Sequence, residues 1–260
     1  MKALQCTELG GPEKLQVNEI DAPEVVPGHV VIDVKSGSIN FPDVLMIQGL
    51  YQFQPPLPFI PGGESAGVIS EVGEGVTKFK EGDKVFAMTG VGAFAEKILA
   101  AESNCMPIPE SMDFDSAAAL SMTYGTSLYA LKQRASLQPG ETLLVLGASG
   151  GVGLAAIELG KAMGAKVIAA ASTQDKIDMC LSHGADEGFI YPSSNLDRDQ
   201  QKELSNKIKE LTGGLGPNVI YDPVGGSYAE PCLRSIAWEG RYLVIGFAAG
   251  ADQIPKMSLT

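Results

Sequence analysis

The stretch LLVLGASGGVGLAAIELGKAMGAKVIAAAS, residues 143–172, decides the architecture. The apolar run LLVLG enters Gly147-Ala-Ser-Gly150-Gly-Val-Gly153, a helical segment follows to Met163 and stops at Gly164, and a second apolar run, KVIAAAS, begins at Lys166. Continuous apolar runs are what strands covered on both faces require, and an intervening helix is the usual crossover of a parallel pair. In that context the glycines acquire a chemical reading. Gly150 lets the backbone approach a pyrophosphate, Gly153 lets helix and strand pack closely, and unpaired N–H groups at the helix start face the anion. Gly147, Ser149, Gly150, Gly151, Val152 and Gly153 are therefore the expected cradle of a dinucleotide, with Ala155 and Ala156 keeping the helix face thin. The same glycines also suit a tight turn with no ligand; the order strand, loop, helix, strand favours the dinucleotide.

Outward from this stretch the pattern repeats. EGFIY (187–191), NVIYD (218–222) and RYLVIGF (241–247) read as further buried parallel strands, and Leu204, Ile208 and Leu211 form a helical stripe that ends at Gly213 and Gly214. Residues 117–260 are thus expected to form a doubly wound α/β domain. Upstream the texture differs. Short apolar runs such as HVVIDV, AGVISEV, DKVFAM and AFAEKIL are punctuated by GGP, PG, PGG and GEG turns, which predicts a small β-rich domain over residues 1–116. Charge divides across this boundary: the first part carries 7 Lys and Arg against 17 Asp and Glu (−10), the second 12 against 14 (−2). A polyanionic cofactor is repelled less by the second.

The end of the second strand bears on which dinucleotide binds. Where NAD is held, an Asp or Glu about 20 residues past the glycine loop accepts from the ribose hydroxyl. That place here is Ala171, followed by Ser172, Thr173 and, one helical turn on, Lys176, while Tyr191 ends the third strand. Neutral donors and a cation suit a 2′-phosphate, so NADPH is expected over NADH.

Composition narrows the partners. The 260 residues carry a net charge of 19 − 31 = −12 and are 45% hydrophobic, enough for one large or two ordinary cores. An acidic chain without basic clusters is poorly suited to nucleic acid or anionic membrane. The longest uncharged stretch, Val44 to Gly63, holds Pro55, Pro56, Pro58 and Pro61 and cannot be a regular spanning helix. No secretory signal is read at the N-terminus, and Cys6, Cys105, Cys180 and Cys232 form no framework, so a cytoplasmic protein with reduced thiols is expected. His29 and His183 read as surface residues, and with so few soft ligands no metal cluster is expected.

The segments INFPDVLMIQGLYQ, LPFIPGGESAGVISEVGEGVTKFKEGDKV, AAAL…YGTSLYAL, LLVLGASGGVGLAAIELGKAMGAKVIA and YDPVGG, in that order and spacing, resemble the zinc-free medium-chain dehydrogenase/reductases, specifically the quinone oxidoreductases related to zeta-crystallin, over the whole chain. The resemblance implies a GroES-like β-barrel followed by a Rossmann domain, with NADPH as cofactor. Zinc-dependent alcohol dehydrogenases of the superfamily hold catalytic zinc with Cys, His and Cys; those places are Asn40, Gly63 and approximately Ser121 here, and none is a good zinc ligand. The four-cysteine lobe of those enzymes is absent too. By motif, Asn40, Phe41, Pro42 and Asp43 would line the nicotinamide end, Thr126 and Tyr129 would lie beside the cofactor, Tyr51 would face the substrate, and Gly246, Phe247 and Ala248 would approach the nicotinamide. Asn40, Asp43 and Tyr51 are the candidate catalytic residues. Each has a second reading: Asn40 and Asp43 as caps of the turn at Pro42, Tyr51 as an aromatic plug, and Glu64 as a structural acid beside the zinc place.

A quinone or conjugated enone is already electrophilic, so hydride transfer to it needs positioning, water exclusion and a proton source rather than a metal. The expected partner is therefore a small quinone or enone, with an enoyl thioester as a close variant and a non-catalytic NADPH-binding protein, as among the crystallins, as the rival. Five strands are read where the doubly wound fold commonly has six. The chain is accordingly expected to be truncated at its C-terminus, lacking a sixth strand and a return segment, and to be a homodimer when full length.

Overall fold

The computed structural model describes residues 1–193 and 195–250. The chain divides into two compact units, Met1–Met122 and Thr123–Thr260. The first unit opens with an antiparallel pair, β1 (Lys2–Cys6) and β2 (Leu15–Glu19). Its main sheet contains β3 (His29–Ser38), β4 (Glu64–Val72), β5 (Lys84–Met88), β6 (Lys97–Ala101) and β7 (Cys105–Pro107), all antiparallel, in the order β6-β3-β4-β5-β7. Alternate residues of these strands, Val30, Ile32, Ile69, Val85, Ala87, Ile98 and Ala100, make one core. A short helix, α1 (Phe41–Ile47), leaves β3, and α2 (Phe114–Ala118) places Ala117 and Ala118 on Ala66 and Phe86. That packing is why the first unit runs to Met122, past the boundary at 116 suggested by texture.

Ser65 is fully buried on β4, and its Oγ finds no hydrogen-bond partner among the described residues. An unsatisfied buried hydroxyl costs about 1–3 kcal/mol. Ser65→Ala is therefore expected to leave the melting temperature unchanged or raise it. A clear fall on thermal denaturation would reveal a partner for Ser65 in solution.

The second unit carries β8 (Thr142–Val145), α4 (Gly151–Ala162), β9 (Lys166–Ala171), α5 (Gln174–Ser182), β10 (Glu187–Ile190), α6 (Arg198–Leu211), β11 (Val219–Asp222), α7 (Ala229–Ser235) and β12 (Arg241–Val244), preceded by the one-turn helix α3 (Thr126–Leu128). The parallel sheet runs β10-β9-β8-β11-β12. Both faces are buried because successive side chains alternate. Leu143, Val145, Val167, Ala169, Val219 and Tyr221 pack with Ala156, Ile157 and Cys180 of α4 and α5 on one face; Leu144, Leu146, Ile168, Ala170 and Ile220 meet Leu204, Ile208 and Cys232 of α6 and α7 on the other. The edge strand β12 is fastened by Arg241, whose guanidinium donates to both oxygens of Glu141 (2.9 and 2.6 Å) and to Ala135 O (2.9 Å). Bidentate pairs of this kind are among the stronger side-chain contacts.

Strand order reverses between β8 and β11, which brings the loops that follow these two strands together at the switch point of the sheet. The strand expected over 241–247 ends at Val244, because Ile245 N and Gly246 N turn to donate to Asp222 O. Among the described residues no helix is long and apolar enough to cross a membrane. The expectation of a missing sixth strand concerns chain beyond residue 250, outside the described residues.

Candidate functional site

The glycine loop lies between β8 and α4. Gly147 has φ +54°, a left-handed conformation that glycine adopts at little cost. Its N–H donates to the hydroxyl of Tyr191 (3.1 Å), and Gly150 N donates back to Gly147 O (3.0 Å), closing the turn. Gly153 is needed for contact: a Cβ there would lie 2.6 Å from the carbonyl oxygens of both Gly147 and Ala148. α4 begins with Gly150 as its cap residue, which offers no side-chain hydrogen bond. The starts of the neighbouring helices are served by side chains, Thr173 at α5 and Asp197 at α6. The first N–H groups of α4 thus have no capping side chain from Gly150, and a pyrophosphate suits them.

At the end of β9, Ala171 is buried and no carboxylate stands there. Lys176 Nζ donates to Ser172 Oγ (3.0 Å), so these two expected phosphate contacts form one exposed, cationic group. Thr173 also serves the helix: its hydroxyl accepts from Lys176 N and caps α5. Tyr191 is not exposed. It is buried against Tyr228, with ring centroids 4.9 Å apart, and its hydroxyl serves the entry of the glycine loop. Burial pushes its pKa up to about 12, so it stays a neutral phenol.

Sequence reasoning missed what holds Thr126 and Tyr129. Between them, Ser127 is fully buried; its Oγ donates to Val152 O (3.0 Å) and shares a hydrogen bond with Tyr221 OH (2.8 Å). This serine pins the helical segment to the first turn of α4, with Thr126 half-buried and Tyr129 exposed. Just upstream, Tyr124 OH donates to Glu158 Oε2 (2.5 Å), and Glu158 Oε1 is 2.7 Å from Nδ1 of His183. The bond to Glu158, together with burial, lifts the Tyr124 phenol to about 12. His183 is therefore a surface residue, as read, but a partnered one. The loop carrying Gly246, Phe247 and Ala248 lies against the loop after β11: Ala248 N donates to Pro223 O (3.0 Å) and Ala249 N to Val224 O (2.9 Å).

In the first unit Asn40, Phe41, Pro42 and Asp43 start α1. Asn40 Nδ2 donates to Glu64 Oε1 (2.8 Å) and to Ser38 Oγ (3.2 Å), and Glu64 Oε2 accepts from Met122 N (2.8 Å). Glu64 is 1% exposed, so it ties β4 to α1 and to the end of the unit. Asp43, a candidate catalytic residue, is bonded to backbone. It is 4% exposed, and its carboxylate accepts from the N–H of Asn40 (2.7 Å) and from those of Gly62 and Gly63. Burial nevertheless raises its pKa, with the Glu64 charge adding to the effect. The acceptors identified for Asp43 serve backbone N–H groups, so Asp43 shapes the Asn40 turn. Tyr51 packs on the small core of Cys6, Met46, Ile47 and Phe59 while remaining half-exposed, and Phe41 is about half exposed.

An antiparallel β unit followed by a doubly wound unit with an open glycine loop defines the medium-chain dehydrogenase/reductase class. The family models agree: residues 26–110 match the alcohol dehydrogenase GroES-like domain and residues 151–260 the zinc-binding dehydrogenase domain. The chain is 40% identical over 250 residues to quinone oxidoreductase-like protein 2 of Rattus norvegicus, covering 96% of this chain and 69% of that one. It is 35% identical over 258 residues to quinone oxidoreductase of Homo sapiens, covering 98% and 76% respectively. The crystal structure of Escherichia coli quinone oxidoreductase complexed with NADPH superposes with a TM-score of 0.88 at 31% identity, covering all of this chain and 76% of that one. The chain belongs to the quinone oxidoreductase family.

Proposed function

We propose that this chain is an NADPH-dependent reductase of quinones or α,β-unsaturated carbonyls that works without zinc. The observation that carries the reading is the glycine loop with its uncapped α4, joined at the end of β9 by the Ser172–Lys176 pair in place of an acid. The N–H groups of Gly151, Val152 and Gly153 receive the pyrophosphate, and Ser172 and Lys176 receive the 2′-phosphate. Thr126, Tyr129, Gly246, Phe247 and Ala248 bound the reactive end, on segments fixed by Ser127 and by the backbone pairs to Pro223 and Val224. The bound cofactor supplies the hydride. Asn40, Phe41, Pro42 and Tyr51 are assigned to the acceptor, with the amide of Asn40 held by Glu64 and the Tyr51 hydroxyl or water giving the proton.

The residues at the superfamily's zinc place do not fit that ion. The Asn40 amide donates to Glu64 and Ser38, Gly63 has no side chain, and Ser121 supplies only a hydroxyl. Zinc takes thiolate, imidazole or carboxylate ligands. Without a Lewis acid a simple ketone is left unpolarised, whereas a quinone or enone accepts hydride directly. The four cysteines are free and buried, which suits the reducing cytoplasm.

The test is oxidation of NADPH against quinones, enones, enoyl thioesters and simple ketones, with and without a chelator, alongside elemental analysis. Turnover of quinones or enones that survives the chelator is expected. Stoichiometric zinc with chelator-sensitive ketone reduction would overturn the reading, and NADPH binding with no turnover of any acceptor would favour a non-catalytic binder.

A further inference from the structure

We propose that Asp222 and Tyr242, neither of them assigned to cofactor or acceptor, form a buried clamp that positions the loops after β11 and β12 and so sets the geometry of hydride transfer. The inference rests on the proposed reductase function. Asp222 ends β11 and is 2% exposed. A carboxylate so buried is costly unless its oxygens are satisfied. Here Oδ1 accepts from Val224 N (2.8 Å) and Gly225 N (2.9 Å), and Oδ2 accepts from the hydroxyl of Tyr242 (2.5 Å).

The register explains the reach of Tyr242. It stands opposite Ile220 across the β11–β12 pair, and side chains two apart share a face, so Tyr242 lies on the Asp222 side of the sheet. Burial and the neighbouring Asp222 both raise its pKa, so the phenol remains a donor.

The clamp acts beyond its own contacts. Folding Val224 N and Gly225 N onto the carboxylate winds the loop tightly, with φ +69° at Gly225 and +60° at Gly226. The loop so shaped presents Pro223 O and Val224 O to Ala248 N and Ala249 N, and these bonds seat the segment bearing Gly246, Phe247 and Ala248. On its other side Val224 closes over the glycine loop: a Cβ on Gly147 would lie 3.0 Å from Val224 Cγ2. One carboxylate thus fixes the entry to the pyrophosphate cradle and the segment expected at the nicotinamide. Small misplacements of a reacting centre are expensive in rate, up to about 100-fold for an ångström.

Asp222→Ala, Asp222→Asn and Tyr242→Phe test this in the whole chain by three measurements: amide hydrogen exchange in the cofactor-free protein, the NADPH dissociation constant, and kcat with whichever quinone the wild type reduces. In Asp222→Ala, exchange should rise about tenfold not only at Val224 and Gly225 but also at Ala248 and Ala249, which do not touch the carboxylate. Its kcat should fall about tenfold or more while NADPH binding weakens less than about fivefold, because the phosphate contacts remain. Asp222→Asn keeps an acceptor for the two amides and should recover part of both losses. Tyr242→Phe should show the same pattern at about threefold, and decides the matter if Asp222→Ala does not fold. Unchanged exchange at Ala248 and Ala249 in the folded variants, or a lowered melting temperature with kcat intact, would overturn the clamp. Failure of the wild type to bind NADPH or reduce any acceptor would instead overturn the proposed function, while the exchange pattern would still report whether the two loops are coupled.

Discussion

Ala171→Asp should reverse the cofactor preference, lowering NADPH affinity relative to NADH by about 100-fold. Ala171 closes β9 and is 2% exposed, so a carboxylate there is only partly solvated and acts at short range on a 2′-phosphate at the site proposed on Ser172 and Lys176. The phosphate carries about −1.5 to −2 at neutral pH. Two unit negative charges about 5 Å apart at an effective dielectric near 20 repel by about 3 kcal/mol, about two decades in affinity, and the Lys176 cation offsets the phosphate charge beyond one. The same carboxylate accepts from the ribose hydroxyls of NADH, so that affinity should hold or improve. Burying part of the new charge should cost stability as well, so the ratio of the two dissociation constants, not either alone, is the quantity to read. Lys176→Met should weaken NADPH alone, by about fivefold or less, since an exposed ion contact contributes at most about 1 kcal/mol. A wild type that prefers NADH, or an unchanged ratio in Ala171→Asp, would remove the phosphate site from the end of β9.

Gly153→Ala should abolish the cofactor site through sterics. Alanine in a helix interior is normally favoured over glycine by about 1 kcal/mol. Here the added methyl meets two carbonyl oxygens at 2.6 Å, and both belong to the backbone of the cradle, which cannot turn aside as a flexible side chain would. The steric term wins: α4 must back away from β8 or the loop must open. A loss of about 2 kcal/mol is expected, a fall in melting temperature of about 4–8 °C, with NADPH affinity down more than tenfold. Gly125→Ala is the control for stability, because nothing lies within 4 Å of a Cβ at that position and its backbone is already helical. It should be neutral or slightly stabilising, since alanine narrows the unfolded ensemble. Equal melting temperatures for the two variants would show that the Gly153 contact is not tight in solution.

What the sequence determined by itself is whatever depends on spacing along the chain. LLVLG, KVIAAAS and NVIYD are apolar at consecutive positions, so their strands had to be covered on both faces, and Leu143 and Leu144 do face opposite cores. Gly147 marks a turn that strains any other residue, Gly153 a close approach that excludes a Cβ, and Gly150 the start of α4. The missing acid at Ala171 was legible for the same reason: its meaning comes from distance along one strand.

Tertiary structure decided everything that depends on which distant side chain arrives opposite. RYLVIGF is apolar to Phe247, yet β12 stops at Val244 because two N–H groups beyond it find Asp222 O. Asp43 was read as a candidate catalyst from its motif, but that motif gave no sign that Gly62 and Gly63 return to it as backbone donors. Ser127 gave no signal at all, since its role is a hydrogen bond to a tyrosine 94 residues away. Asp222 and Tyr242 likewise meet only because β11 and β12 pair in parallel. A buried polar group must be satisfied by some partner, but local sequence does not say by which one; the packing of the sheet selects it.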